Sequence, residues 1–238
     1  MAEFKISNRL LSCAELITPG AKVADIGTDH AYIPIWLSIN KKISHALACD
    51  IRIGPLENAK KNIEHFHTEK IVETRLSDGL ENVNPDEADE IIIAGMGGNM
   101  ISNILEKCSW KNKCEKKFIL QPMKYESKLR LYLASKGYEI KSERAFICGE
   151  KIYTVIVAIF TGMPYEISTL EKYIGKIHEH ITPESELYIK KQIKSIKNME
   201  KGAIAKKNLI EKAKYEATIE QLESILNLKT GGETDDIN

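Results

Sequence analysis

The chain has 238 residues, 34 basic and 34 acidic side chains, and 43% hydrophobic residues. That is enough for one sizeable domain plus an appendage, and no apolar run approaches the ~18–20 residues of a helical membrane span. Its five cysteines, an odd number without a Cys-x-x-Cys pair, speak against a disulfide framework and for reduced thiols in the cytoplasm, while zero net charge speaks against a uniformly basic nucleic-acid binder.

The opening Met-Ala-Glu-Phe-Lys-Ile-Ser carries an early acid and no apolar core, unlike a signal peptide. Residues 7–17 set Leu10, Leu11, Ala14 and Ile17 at helical spacing, and Thr18-Pro19-Gly20 breaks that helix. Strands are expected at 22–26, 46–49, 72–76, 89–94 and 117–121, with helices at 55–66, 100–107 and 125–136 and Pro34 in the first turn of another. The β-branched run Ile91-Ile92-Ile93 reads as a strand buried on both faces of a parallel sheet. Gly137 suits the C′ position after the helix at 125–136. The β-rich runs 138–147 and 153–160 are then separated by only a short loop, which makes a hairpin rather than another crossover. Five parallel strands ending in an antiparallel element is the arrangement of class I methyltransferases.

Beyond Gly162-Met163-Pro164 no β-rich run returns. Thr182-Pro183-Glu184 reads as a helix start. One apolar seam is expected at Ile189, Ile193 and Ile196. A second is expected at Ile210, Ala213 and Ala217, with later Leu222, Ile225 and Leu226, and a turn near Gly202-Ala203. Two antiparallel helices would form a small coiled coil. Between Lys190 and Lys214 nine lysines face only Glu200 and Glu211. Without matching acids for i,i+4 pairing, Lys190, Lys194 and Lys197 are candidates to track phosphates, against a plain solvated face. His65-x-His67 and His178-x-His180 lie in helical surroundings where i and i+2 do not share a face, so no metal site is expected.

The chemistry lies at strand ends. Val23-Ala24-Asp25-Ile26-Gly27-Thr28-Asp29-His30-Ala31-Tyr32 is a strand, a turn and a helix start. Open α/β sheets bind ligands at the carboxyl ends of their strands. Here only Gly27 matches the dinucleotide fingerprint, and Asp29 stands where its second glycine belongs. That carboxylate would repel a pyrophosphate, which disfavours a nicotinamide cofactor, and would accept a cationic one such as S-adenosylmethionine (SAM). Asp50, with Ile51 beside it, ends the second strand and is placed to accept bonds from ribose hydroxyls. Asp78-Gly79 ends the third strand, with the acid a candidate acceptor for an adenine amino group. Gly95-Met96-Gly97-Gly98 follows the fourth and lets backbone approach a ligand closely. Gln121-Pro122 follows the fifth. Each also has a plainer reading: Asp25 caps a turn, Asp78-Gly79 is a common turn, Tyr32 packs its helix, Arg9 makes a surface ion pair.

The strings Asp25-Ile26-Gly27-Thr28-Asp29-His30-Ala31-Tyr32, Gly95-Met96-Gly97-Gly98 and Gln121-Pro122 together resemble the bacterial tRNA (adenine-22-N1)-methyltransferase family, TrmK, over residues 8–228. The resemblance implies SAM as methyl donor, tRNA as partner and N1 of one D-loop adenine as acceptor; no membrane is expected as a partner, and no obligate protein partner is evident from the sequence. The resemblance also implies that Asp25 and Gly27 border the methionine part of SAM, that Asp50 holds its ribose, and that Asp78 and Gly79 flank its adenine, with Asp29, His30 and Ile51 also in the cofactor site. Gly95, Met96 and Gly97 would stand where other base methyltransferases carry an Asn/Asp-Pro-Pro-aromatic motif, which this chain lacks. Asp29, His30 and Tyr32 are then the candidates near the target base, Asp29 as the catalytic carboxylate, with Arg9, Gln121 and the three lysines also on the substrate side. The expected organisation is a Rossmann-like class I methyltransferase domain over 1–162, a helical coiled coil holding tRNA over 163–229, and a disordered tail over 230–238. Other readings are the same fold acting on a different substrate, or an RNA-binding scaffold.

Overall fold

Ile91, Ile92 and Ile93 show how the sheet is built. All three are fully buried in the computed structural model, which describes residues 4–110 and 113–230. Successive strand residues face opposite ways, so Ile91 and Ile93 join one hydrophobic layer and Ile92 the other. Burying every residue of a strand requires helices on both faces of the sheet. Each such isoleucine contributes about 1.5–3 kcal/mol by leaving water.

Two compact units divide between Glu166 and Ile167. The first begins with α1 (Asn8–Ala14), β1 (Ala21–Ile26), α2 (Tyr32–Ile39), β2 (Ile43–Asp50), α3 (Ile53–His65) and β3 (Val72–Leu76). It continues with β4 (Glu90–Gly97), α4 (Gly98–Lys107), β5 (Lys117–Lys124), α5 (Glu126–Ser135), β6 (Tyr138–Cys148) and β7 (Lys151–Phe160). The seven strands lie in the order β3-β2-β1-β4-β5-β7-β6. The first five are parallel, and β7 pairs antiparallel with both β5 and β6. The expected Rossmann-like methyltransferase sheet is therefore present. Strand order reverses between β1 and β4, and that switch point opens a crevice at their carboxyl ends.

Two strand ends differ from expectation. Gly95, Met96 and Gly97 do not follow β4; they are its last three residues, and its register against β5 shifts on either side of Met96. β5 runs to Lys124, which places Gln121 inside the sheet rather than after it. Gly137 has φ +75° and closes the turn after α5, as its position predicts.

The second unit contains α6 (Thr169–Ile174), α7 (Pro183–Ala205) and α8 (Leu209–Thr230). Ser168 and Glu171 form a capping box on α6. At the start of α7 the Thr182 hydroxyl accepts the Ser185 N–H at 3.2 Å. Gly202 does not turn the chain; it lies inside α7, and the reversal falls at residues 206–208, where Lys207 takes φ +54°. Ile189, Ile193 and Ile196 form the α7 seam as expected, but Ile210, Ala213 and Ala217 are exposed on α8. Leu222 is buried as expected, and among the described residues of α8 it is joined there by Thr218 and Ile219. The tail expected over 230–238 lies, beyond Thr230, outside the described residues.

Candidate active site

Two left-handed glycines face each other across the switch point. Gly27 has φ +79°, and a Cβ built on it would stand 2.0 Å from Met96 Cε. Gly95 has φ +78°, and its Cβ would stand 2.7 Å from Arg9 Nη1. Side chains are disfavoured at such φ, so both positions favour glycine for conformation; the atoms a Cβ would meet are the tips of the flexible Met96 and Arg9 side chains, which can move aside. Around them lie two adjoining cavities that share Gly27, Ala94 and Gly95. One, of about 430 Å³, is lined by Arg9, Asp25, Thr28, Asp29, His30 and Tyr32. The other, of about 550 Å³, is lined by Asp50, Ile51, Asp78, Gly79, Met96 and Met100. Both volumes suit a small-molecule ligand.

The carboxylates differ in environment. Asp25 ends β1 in a buried position, and desolvation raises its carboxyl from an ordinary 3.8 to about 6. A hydrogen bond with Thr28 and the charge of Arg9 oppose that rise. Asp50 is also buried; its Oδ1 accepts the Arg52 N–H at 2.8 Å. Asp78 accepts a hydrogen bond from Lys107 Nζ at 2.6 Å, so it meets the cavity already neutralised. Asp29 is 65% exposed, and its Oδ2 lies 3.2 Å from His30 Nε2. The His30 ring stacks on Tyr32 at 4.9 Å between centroids, and Tyr32 meets the edge of Phe4 at 5.9 Å. A hydrogen bond from the Ala31 N–H to Thr28 Oγ1 at 3.1 Å braces the turn that carries these rings.

Three expectations need correction. Gln121 has no exposed surface and cannot meet a substrate. Its Oε1 accepts the Gly95 N–H at 3.1 Å and its Nε2 donates to the Pro122 carbonyl at 2.9 Å, so it fixes the bent end of β4 from below. A Gln121→Met substitution keeps the volume and removes both bonds; unfolding in denaturant is expected to show a loss of about 1–3 kcal/mol. Gly97 lines neither cavity; it is the residue before α4, with φ −72°. The lysine stretch, finally, does have matching acids. Lys190 lies 3.9 Å from Glu186 and Lys197 lies 2.8 Å from Glu223. Glu186 precedes the stretch and Glu223 follows it on the facing helix, so a count confined to 190–214 misses both.

Sequence reasoning also missed Thr28, Met100, Asn103 and Lys107, all of which line the crevice. The signal available was position: Met100, Asn103 and Lys107 recur at helical spacing directly after the glycine run, on the face of α4 turned to the strand ends. Among the described residues no cluster of three or more metal-ligating side chains occurs.

The cavities fit a cationic nucleoside. A buried carboxylate at the end of β2, apolar Ile51 and Met100, and polar Asp78 and Asn103 offer hydrogen-bond acceptors and an apolar slot in the larger cavity. The buried Asp25 lines the smaller cavity, close in sequence to Gly27, which borders both.

A family model described as a methyltransferase domain matches residues 6–156. Over 158 residues the chain is 40% identical to the tRNA (adenine(22)-N(1))-methyltransferase of Bacillus subtilis; the aligned stretch spans 66% of each protein, just under two thirds. The crystal structure of the B. subtilis m1A22 tRNA methyltransferase TrmK superposes with a TM-score of 0.79 at 30% identity, covering 94% of this chain and 99% of that one. A putative tRNA (m1A22) methyltransferase of Streptococcus pneumoniae, solved in complex with S-adenosyl-L-methionine, superposes with a TM-score of 0.77 at 29% identity, covering 93% and 100%. Sheet order, strand-end acids, the glycine pair at the switch point and these likenesses agree, and the chain belongs to the TrmK family of SAM-dependent tRNA (adenine-N1)-methyltransferases.

Proposed function

We propose that this protein methylates N1 of an adenine, position 22 in the D-loop region, in tRNA, using SAM, and that it works in the cytoplasm. The observation that carries the reading is the pair of cavities joined at Gly27 and Gly95, one built for a nucleoside and the other open beside Asp29, His30 and Tyr32. SAM, when bound, supplies an electrophilic methyl group on a sulfonium. Asp50 and Ile51 hold its ribose, Asp78 and Gly79 flank its adenine, and Asp25 and Gly27 border its methionine end.

Tyr32 and His30 give the target base a flat surface in the smaller cavity. Adenine N1 lies on the Watson–Crick edge, so the base must leave its stack to reach the cavity. Its N1 lone pair lies in the ring plane and needs no prior deprotonation. The chain's tasks are to orient that edge, to exclude water, and to place Asp29 against the positive charge that develops on the purine. Arg9 and the α7 lysines Lys190, Lys194 and Lys197 contact phosphates, Lys190 and Lys197 leaving Glu186 and Glu223 to do so, and position the RNA without reading its sequence. Methyl transfer from labelled SAM to tRNA, followed by nucleoside mapping, tests the assignment; label recovered at any site other than adenine N1 would refute it.

Asp25 adds a pH dependence. Its carboxyl titrates near 6 in the folded chain against 3.8 ordinarily. Between these values the folded chain holds the extra proton, so the free protein loses this part of its stability as pH rises through that window. A bound cation reverses the preference by favouring the carboxylate. Calorimetry is expected to show SAM affinity falling about tenfold per pH unit below pH ~6, with proton release on binding in that range. The Asp25→Asn variant should lose this pH dependence.

A further inference from the structure

Lys124, Tyr125 and Lys128 form a cluster at the carboxyl end of β5 that the cofactor site does not use. The Tyr125 ring is 45% exposed. Lys124 Nζ lies 5.2 Å from its centroid and Lys128 Nζ lies 5.0 Å from it. Among the described residues no ion pair joins either lysine to a carboxylate, in contrast to Lys107, Lys117, Lys136 and Lys141. Two like charges gathered on one ring repel each other, and a bound anion relieves that repulsion.

The cluster is also held rigidly. Tyr125 has φ +64°, an unfavourable conformation for a residue with a side chain. Its carbonyl accepts the N–H groups of Lys128 and Leu129, each at 3.1 Å. Gly98 lies so close beneath that a Cβ on it would stand 2.5 Å from the same carbonyl oxygen. A Cβ on Gly97 would stand 3.5 Å from Lys124 Cε. The turn is thus packed against the strand end whose Gly95 borders both cavities. Glycine would take this backbone shape at no cost, so a tyrosine here points to a use for the ring.

We propose that Lys124, Tyr125 and Lys128 are a phosphate clamp that grips the tRNA backbone beside the acceptor cavity, with the ring aligning the two ammonium groups. This rests on the tRNA reading above. Ammonium groups bind phosphates as point charges, and a backbone contact at this place would hold the strand while one base turns inward.

The test uses the full chain, bulk tRNA and labelled SAM. In a Lys124→Ala/Lys128→Ala variant KM for tRNA should rise about tenfold, and the log–log salt slope should fall by about 2, since each phosphate contact contributes roughly 0.9. SAM affinity by calorimetry should not change. Lys124→Arg/Lys128→Arg should restore the slope, and Tyr125→Leu should raise KM with both charges present. Wild-type KM and slope in the double alanine variant would overturn the clamp, as would an equal loss of SAM affinity, which would mark a loop defect. Wild-type protein that methylates no tRNA would overturn the underlying reading instead.

Discussion

Asp29→Ala is expected to lower kcat for methyl transfer about 10²–10³-fold, a loss of about 2.7–4 kcal/mol in transition-state stabilisation. Adenine N1 starts neutral and ends positively charged, so a carboxylate against that edge interacts more strongly with the transition state than with the substrate. Only such a difference raises kcat. In the free protein Asp29 is 65% exposed, where water screens its charge. The strength expected of it arises when the base enters and displaces that water, lowering the local dielectric. The His30 contact at 3.2 Å holds the carboxylate on the cavity side. Asp29→Asn keeps an acceptor for the adenine amino group without the charge, and should fall between wild type and alanine. Single-turnover rates separate chemistry from binding. If Asp29→Ala instead weakened SAM binding and left the single-turnover rate intact, the carboxylate would be a cofactor ligand and not a catalytic group.

Glu143→Ala is expected to destabilise the first unit by about 3–5 kcal/mol, the largest stability effect predicted for a single substitution here. Arg130 on α5 and Glu143 on β6 have no exposed side-chain surface. Arg130 Nε donates to both carboxylate oxygens, at 3.1 and 3.0 Å, and Nη2 makes a further bond to Oε1. Removing the carboxylate leaves a buried guanidinium without its counter-charge, which costs far more than the pair contributes when intact. At about 2–4 °C per kcal/mol for a unit of this size, thermal unfolding should begin roughly 6–20 °C lower. An Arg130→Met/Glu143→Leu variant removes both charges together and should recover most of the loss. A Glu143→Ala protein melting within a degree or two of wild type would show that solvent reaches the pair.

Much of this was legible in the residues, for reasons of range. The run of Ile91, Ile92 and Ile93 announces a strand covered on both faces, because side-chain alternation is a property of neighbouring residues. Asp25, Asp50 and Asp78 announce a binding edge, since each lies at or just past the end of an expected parallel strand and parallel strands end on the same side. Gln121 was misread because a polar residue at a strand end looks the same whether it faces a ligand or the underside of a glycine turn. The first half of the α8 seam was misread because helical periodicity gives a spacing without a phase; Leu222 is buried as expected, but Thr218 and Ile219 are buried beside it while Ile210, Ala213 and Ala217 are exposed. Gly202 has open space around it and continues a helix that its identity alone would break.

The amino-acid order by itself determined the alternation of strands and helices, the antiparallel closing hairpin, the acids and glycines at strand ends, and through their likeness the family. These follow from local periodicity, turn chemistry and motif spacing, which act over a few residues. Only the tertiary structure decided that Arg9 lies over Gly95, that Gln121 props the same turn from inside, that Lys197 meets Glu223, and that two lysines share the Tyr125 ring. Except for the lysines, these contacts join residues 26 or more positions apart. For those distant pairs the outcome was set by which elements pack together and how closely, a balance of burial, charge and steric room absent from any short stretch of the chain.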